Sequence, residues 1–155
     1  MATSFPATLA GGQPDVKVEE MALVAGATFT VGALLVYTPG ATATWAECTG
    51  SPVSIGGLAL SPAPGAASVT RGLPYQANQI PIALLDESTQ VEMASATTPA
   101  ATHIGNEYGV VKSGNNWLVN ISDTTNKAVL VIKIDITNGV FWVRFLASVL
   151  QFIAA

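Results

Sequence analysis

The pair Asn138–Gly139, which separates two runs of alternating apolar residues, constrains the fold more than any other feature of the sequence. Both residues tolerate the positive φ angles of a type I′ turn, so Asn-Gly is the strongest short-range signal for a β-hairpin. We predict that Thr137 pairs with Val140 across this turn. The apolar residues then share one face, as the pairs Ile136–Phe141, Ile134–Val143 and Ile132–Phe145. Because turn chemistry and alternation agree, the C-terminal third is predicted to be an antiparallel β-meander.

The other face of the predicted hairpin carries polar residues. Asp135 meets Trp142 and lies diagonal to Arg144. Opposite charges on neighbouring strands attract, so Asp135 offsets the like-charge pairing of Lys133 with Arg144.

Short apolar runs with Gly and Pro between them extend through the rest of the chain. We predict strands at 15–20, 27–37, 42–48, 53–60, 80–85, 89–94, 107–112, 116–121, 127–137 and 140–146. Short strands at regular spacing are typical of a small antiparallel β-barrel or sandwich. The fold class is therefore mostly β with little helix, and a weak helix within 63–78 or near 147–153 is left open.

Residues 1–14 are predicted to form an extended N-terminal arm. Pro6 and Pro14 oppose regular pairing because proline has no backbone N–H to donate. Phe5 and Leu9 are apolar and have no local core to enter. The arm is expected to be either disordered, as termini are by default, or ordered on a neighbouring molecule.

Residues 15–155 are predicted to form a β domain, and a division into 15–94 and 103–155 is left open. A stretch rich in Pro, Gly, Ala and Ser at 61–79 interrupts the strands. Loops of this length are often functional or contact a neighbour.

The chain carries few charges. Charged residues make up 10% of the sequence, against about 25% in a typical soluble domain. Interface cores are depleted in Lys, Glu and Asp, so we predict that partners cover part of the surface. The net charge is −4 and no basic cluster is present, which argues against nucleic-acid binding because phosphates need a positive stripe.

The apolar stretch Met21–Tyr37 is the best candidate for a membrane span, and it is a poor one. It contains glycines and threonines, and Pro39–Gly40 follow closely. A bilayer span needs about 20 predominantly apolar residues. No membrane partner is expected.

The sequence contains no recognisable set of catalytic groups. Nucleophilic catalysis needs a nucleophile, a base and an orienting group, yet His103 is the single histidine and Cys48 the single cysteine. The adjacent acids Glu19–Glu20 and Asp86–Glu87 point to opposite faces where they lie on strands. Asp123 stands in a Ser-Asp-Thr-Thr-Asn run, which is more typical of a turn than of a calcium loop. We predict that the protein is not an enzyme and holds no metal or cofactor.

Three segments carry a resemblance to a known family. They read GATFTVGALLVYTPGATATWAECTGSPVSIGGLAL at 26–60, IPIALLDESTQVEMA at 80–94 and HIGNEYGVVKSGNNWLVNISDTTNKAVLVIKIDITNGVFWVRFL at 103–146. In pattern, this part of the chain resembles the head decoration, or cement, proteins of tailed bacteriophages. The resemblance implies a structural virion protein that binds the outer surface of an HK97-type capsid and stabilises the shell by bridging neighbouring capsid subunits.

The resemblance also implies partners and a location. The partners are the major capsid protein and further copies of the chain, with a homotrimer favoured and a dimer possible. The location is the outer capsid surface of the virion, after synthesis in the host cytoplasm. Arms in this family often reach onto neighbouring capsid subunits, which matches residues 1–14 here.

Candidate contacts with the capsid or with other copies are apolar and aromatic residues in the arm, the long loop and the last strand, namely Phe5, Pro6, Leu9, Pro14, Leu73, Tyr75 and Trp142. Two other functions stay open. A carbohydrate- or receptor-binding module, such as a fibre or adhesin domain, would bind through Trp45, Trp117 or Trp142. A tail tube or baseplate component would assemble into rings or tubes without a capsid.

Overall fold

The computed structural model describes residues 5–11, 13, 16–24, 26–39, 44–63 and 79–152. Over these residues the predicted mostly β fold is confirmed. The strands are β1 (Thr8–Leu9), β2 (Lys17–Ala22), β3 (Leu34–Thr38), β4 (Thr44–Glu47), β5 (Gly57–Ala59), β6 (Gln79–Leu84), β7 (Gln90–Ser95), β8 (Glu107–Ser113), β9 (Asn116–Asn120), β10 (Val129–Asp135) and β11 (Val140–Phe145). A 3₁₀ turn at Ala101–His103 precedes β8. The helix left open near 147–153 is a turn at 147–149, and most of 63–78 lies outside the described residues.

Two sheets form the domain, which is sandwich-like. The six-stranded sheet has the order β1-β7-β11-β10-β8-β9, and the five-stranded sheet has the order β2-β6-β5-β3-β4. Strand β9 also pairs in parallel with β7, so the six-stranded sheet curls into a partial ring. The C-terminal hairpins β8–β9 and β10–β11 adjoin through β8 and β10.

Within the described residues, a cluster of buried apolar side chains draws on both sheets. Its largest members are Trp45 on β4, Trp117 on β9, and Phe141 and Phe145 on β11, each at most 2% exposed. Strand β7 also pairs with both β9 and β11. Residues from 15–94 and from 103–155 therefore share the core.

The register predicted for the last hairpin is wrong at the turn. Asp135, not Thr137, lies opposite Val140, so the loop has four residues, 136–139. The Asp135 carboxylate accepts hydrogen bonds from the backbone N–H and the side-chain amide of Asn138, at 3.0 and 2.7 Å. Gly139 adopts a positive φ of 68°. An aspartate that accepts from the backbone three residues ahead stabilises this wider loop over the two-residue turn.

A β-bulge between Val131 and Lys133 shifts the register again. Beyond it, Val131 pairs with Val143, and the buried residues of β10 are Val129 and Val131. Ile136, predicted to face the core, lies in the four-residue loop instead and is 55% exposed. The backbone of Val131 bonds the loop before β8, through Asn106 O and Gly105 N at 3.0 and 2.8 Å. A bulge reverses which side chains face inward, so this tertiary contact decided the buried face of β10.

Candidate interaction surface

Four of the seven candidate contact residues lie in the described part of the chain, on or beside the six-stranded sheet. Leu9 is on β1 and Trp142 is on β11, with only β7 between these strands. Phe5 and Pro6 precede β1 and are half-buried. Pro14, Leu73 and Tyr75 lie outside the described residues.

The described part of the arm pairs with its own domain, an arrangement that the sequence did not predict. Thr8 lies opposite Glu92 and Leu9 opposite Val91 on β7, and Ala10 N–H donates to Gln90 O at 3.0 Å. Ala7 and Ala10 are buried, which is possible because their small side chains let the arm approach the sheet closely. The segment between the two prolines therefore supplies backbone donors that proline lacks.

Gln13 continues this pairing with its side chain in place of backbone. Its Nε2 donates to Gln90 O and its Oε1 accepts from Gln90 N, both at 2.8 Å. Nε2 also donates to Ala10 O at 2.9 Å. A side-chain amide that satisfies both backbone groups of one strand residue reproduces a ladder pair, so it fixes the arm along the edge of β7.

A row of four paired residues crosses the six-stranded sheet from β1 to β10 and forms the candidate surface: Thr8, Glu92, Trp142 and Lys133. We call it the Trp142 row. The indole Nε1 of Trp142 donates to Glu92 Oε1 at 3.0 Å, and Lys133 Nζ lies 4.5 Å from the centre of the Trp142 ring. A charged acceptor and a cation over the ring together hold the side chain in one orientation.

The wider turn before β11 creates this row, because it moves the residue opposite Trp142 from Asp135, as predicted, to Lys133. The predicted register placed Lys133 opposite Arg144, whereas in the structure Arg144 lies opposite Leu130 and Gln90. The like-charge pair is thereby avoided, and Lys133 reaches the Trp142 ring instead. Arg144 is exposed two residues along the same strand. Tryptophan and arginine are enriched among residues that dominate binding at interfaces.

Gly32 lies directly against the backbone of the arm at Ala7. Its φ is +86°, and a Cβ atom added there would lie 2.6 Å from Ala7 O. Gly26 has a similar φ of +77° with nothing within 4 Å. The two glycines therefore share the backbone requirement and differ in the contact with the arm.

We expect Gly32→Ala to destabilise the protein by about 1–3 kcal/mol and to loosen the arm, because strain and overlap with Ala7 coincide. Native-state hydrogen exchange would report this as lost protection of the Ala10 amide. Gly26→Ala is the matched control, since it introduces the same φ cost without the overlap. Equal protection of Ala10 in both variants would contradict the supporting role of Gly32.

An apolar cleft of about 370 Å³ lies on the five-stranded side, lined by Met21, Ala22, Tyr37, Trp45 and Phe152. The rings of Tyr37, Trp45 and Phe152 have centroids 5.4–5.9 Å apart. Gln151 anchors this corner much as Gln13 anchors the arm: Nε2 donates to Tyr37 O at 2.9 Å and Oε1 accepts from Tyr37 N at 2.7 Å.

The residues considered for chemistry have structural contacts. His103 Nδ1 accepts the N–H of Ala100 at 3.0 Å. Its ring stacks on Phe141 with centroids 5.7 Å apart and meets Tyr108 edge-on at 5.8 Å. This histidine therefore orders the connector before β8. Glu47 accepts from Trp117 Nε1 at 3.0 Å and pairs with Lys112 at 2.6 Å.

Three aspartates organise turns, including Asp123, whose sequence context is more typical of a turn than of a calcium loop. The Ser88 hydroxyl, which donates to Asp86 at 2.7 Å, is the main cause of a lowered pKa at Asp86. The backbone N–H of Asn126 lowers the pKa of Asp123, and the Asn138 amide lowers that of Asp135. Each carboxylate accepts from donors two or three residues ahead, as in Asx turns.

These lowered pKa values make stability fall in acid. A carboxyl whose pKa is lower in the folded state stabilises the fold above its ordinary value of 3.8, and that contribution is lost as the pH falls through the folded pKa. We expect the melting temperature to drop below about pH 4. Asp86→Asn, which keeps the acceptor oxygen without titrating, should reduce the drop, whereas Asp86→Ala should lower the melting temperature at every pH. An unchanged pH profile for Asp86→Asn would refute this.

Two of the three tryptophans named for sugar binding are buried. Trp45 is 1% exposed and Trp117 is 0% exposed, and Phe141 is also 0% exposed. A stacking platform must present an open ring face, so these rings are core residues and do not serve the sugar-binding alternative. Of the three tryptophans, Trp142 alone has partial exposure.

The partners of Trp142 were not found from the sequence. Glu92 and Lys133 lie 50 and 9 positions away from Trp142, and only the strand register brings the three together. Gln13 and Gln151 also lack a sequence signal, because a glutamine that replaces a backbone pair looks like any surface glutamine.

Among the residues that the structure describes, no group of three or more His, Cys, Asp or Glu side chains could hold a metal ion. In the same residues, no helix is long and apolar enough to cross a membrane. No protein-family model, curated protein or solved structure matches the chain.

Proposed function

We propose that the protein is a structural virion protein that binds the outer surface of an HK97-type phage capsid and bridges neighbouring capsid subunits. The observation that carries this proposal is the Trp142 row, an oriented aromatic side chain on a sheet face beside the paired arm. The resemblance of three segments to phage decoration proteins supplies the class of partner.

The Trp142 row suits binding to a large assembled surface. An indole already fixed by Glu92 and Lys133 loses little rotamer freedom on binding, so the contact is entropically cheap. Arg144, which is exposed on the same strand, adds a second anchor beside the partly exposed Trp142. One such surface is enough for weak binding, and many copies on a shell gain from multivalency.

The remaining polar groups support a structural role rather than a catalytic one. His103, Glu47 and the three turn aspartates each hold a neighbouring backbone or side chain. A catalytic set needs a base and a nucleophile that face a shared space. Here these groups lie in separate turns and at the contact between the sheets, so the geometry favours assembly over chemistry.

Binding to expanded capsid particles of the encoding phage would test the proposal by co-sedimentation and cryo-electron microscopy. We expect saturable binding and density for the protein on the outer surface. Trp142→Ala should weaken binding by about tenfold or more, because truncation of a central aromatic anchor commonly costs at least that much. Trp142→Phe should have a smaller effect.

Val53→Ala is the matched control, since Val53 is 65% exposed and lies outside the row. It should bind like the unchanged protein. Absence of any capsid binding would overturn the proposed function. Equal binding by Trp142→Ala and Val53→Ala would assign the contact to another surface and remove the observation on which the proposal stands.

A further inference from the structure

The first three residues of strand β2, Lys17 to Glu19, form an edge that is open to solvent. Strand β2 is the terminal strand of the five-stranded sheet and pairs with β6 through Lys17–Leu84 to Ala22–Gln79. Its first three residues, Lys17, Val18 and Glu19, are all exposed, so neither face of the strand is covered at this end. Val18 is 49% exposed.

The backbone groups of Val18 point away from β6. On β6, Pro81 O accepts from Leu60 N at 3.1 Å, so the odd-numbered residues of β6 face β5 and the even-numbered ones face β2. Leu84 and Ile82 therefore bond Lys17 and Glu19, which leaves the N–H and C=O of Val18 on the outer side. Further along the chain, Val24 N donates to Trp45 O at 2.9 Å, which confirms that even-numbered residues here face outward.

We infer that β2 pairs with the β2 strand of a second copy, antiparallel and about a two-fold axis through Val18. Val18 then lies opposite its own copy and exchanges two backbone hydrogen bonds with it. In this register Lys17 of each chain lies opposite Glu19 of the other. The strand is thus self-complementary in charge, and its exposed valine is covered at the centre.

Charge complementarity favours this occupant over an unrelated strand. A two-fold contact is isologous, so each favourable pair occurs twice. Opposite-charge pairs across antiparallel strands stabilise the pairing, and the same charges directly opposed destabilise it. A strand of a different protein would form equivalent pairs only if it also had a lysine, then an apolar residue, then a glutamate.

The contact is short and should be weak in solution. Stable interfaces bury about 1,200 Å² or more in total, which a few strand residues do not reach alone. The inference selects a dimer over the homotrimer implied by the resemblance. It does not depend on capsid binding, so its test is made without capsids.

Sedimentation velocity over a range of protein concentrations tests the pairing. We expect a reversible monomer–dimer equilibrium. Lys17→Glu alone or Glu19→Lys alone should raise the dimer Kd by about tenfold or more, since two attractive pairs become two repulsive ones. The double variant K17E/E19K should restore the Kd to that of the unchanged chain. Lys127→Glu, at another exposed lysine, is the matched charge control.

Val18→Pro removes the outward N–H without removing a bond to β6, which is a position where edge strands tolerate proline. It should stay folded, with an unchanged circular dichroism spectrum, and should be monomeric. Val18→Cys should form a disulfide-linked dimer under mild oxidation, whereas Val53→Cys should not. Cys48 does not compete, because burial raises the pKa of its thiol to about 12.

A monomer at every concentration would overturn the inference. A dimer or a trimer whose Kd is unchanged by the single charge reversals would also overturn it. Loss of capsid binding by Trp142→Ala with an unchanged dimer Kd bears on the proposed function alone.

Discussion

Trp117→Ala should destabilise the protein by about 3–5 kcal/mol, the cost of removing a large aromatic side chain from a packed core. Trp117 is 0% exposed, and its Nε1 donates to Glu47 Oε2 at 3.0 Å. Glu47 lies on β4 in the five-stranded sheet and Trp117 on β9 in the six-stranded sheet. The variant therefore opens a cavity and removes a bond between the two sheets at the same time.

Substitution by phenylalanine at both buried tryptophans, Trp117 and Trp45, separates the effect of the cavity from the effect of the lost hydrogen bond. Trp117→Phe removes a donor from Glu47, which keeps its pair with Lys112 at 2.6 Å. Trp45→Phe removes an N–H that is buried without a hydrogen-bond partner. Leaving a buried polar group unpaired costs about 1–3 kcal/mol. Removal of the unpaired N–H of Trp45 therefore offsets part of the stability that Trp45→Phe loses in packing.

Chemical denaturation of the four variants, including Trp45→Ala, measures these effects. We expect Trp117→Phe to cost more than Trp45→Phe by about 1 kcal/mol or more. The two alanine variants should differ less, because the cavity dominates both. If Trp45→Phe proves the more destabilising of the two, the bond to Glu47 is not a net stabiliser of the contact between the sheets.

Gly57→Ala should destabilise the protein by about 1–3 kcal/mol or more, as overpacking of a core does. A Cβ atom at Gly57 would overlap Ile82 Cγ2 on β6 and would lie 3.2 Å from the Trp45 ring. It would also lie 3.1 Å from the backbone oxygen of Ala83, which cannot move without breaking the β5–β6 ladder. Strand β5 is short and fully buried, so it has no room to shift outward.

Gly11→Ala is the control for this change. Gly11 is exposed, has nothing within 4 Å of an added Cβ and does not carry a positive φ. It should be neutral or slightly stabilising, because alanine restricts the unfolded chain. Thermal unfolding of both variants gives the comparison. Equal melting temperatures would show that β5 adapts to the extra methyl group.

Most of the strands could be predicted from local patterns, because alternation and turn residues act over a few positions. All ten predicted runs overlap the observed strands β2–β11. β1 was missed because two prolines flank it in the sequence and its partner β7 lies about 80 residues away. Loop closure over that distance depends on the whole domain and leaves no local signal.

At the hairpin around Asn138–Gly139, local sequence determined some features and distant contacts determined others. The sequence by itself determined that the chain turns there, since Gly139 takes a positive φ that most residues avoid. It also determined that β11 buries Phe141, Val143 and Phe145, because a strand with strict alternation can present only one apolar face.

Only the tertiary structure decided which residues of β10 face Phe141, Val143 and Phe145. The carboxylate of Asp135 widened the turn, and the bonds from Val131 to the loop before β8 fixed the bulge. The wider turn brought Lys133 over Trp142, and the pairing of β7 with β11 placed Glu92 beside it, which made the proposed binding surface. A register is a sum over many distant contacts, and alternation in one strand cannot distinguish pairings that bury equal apolar area.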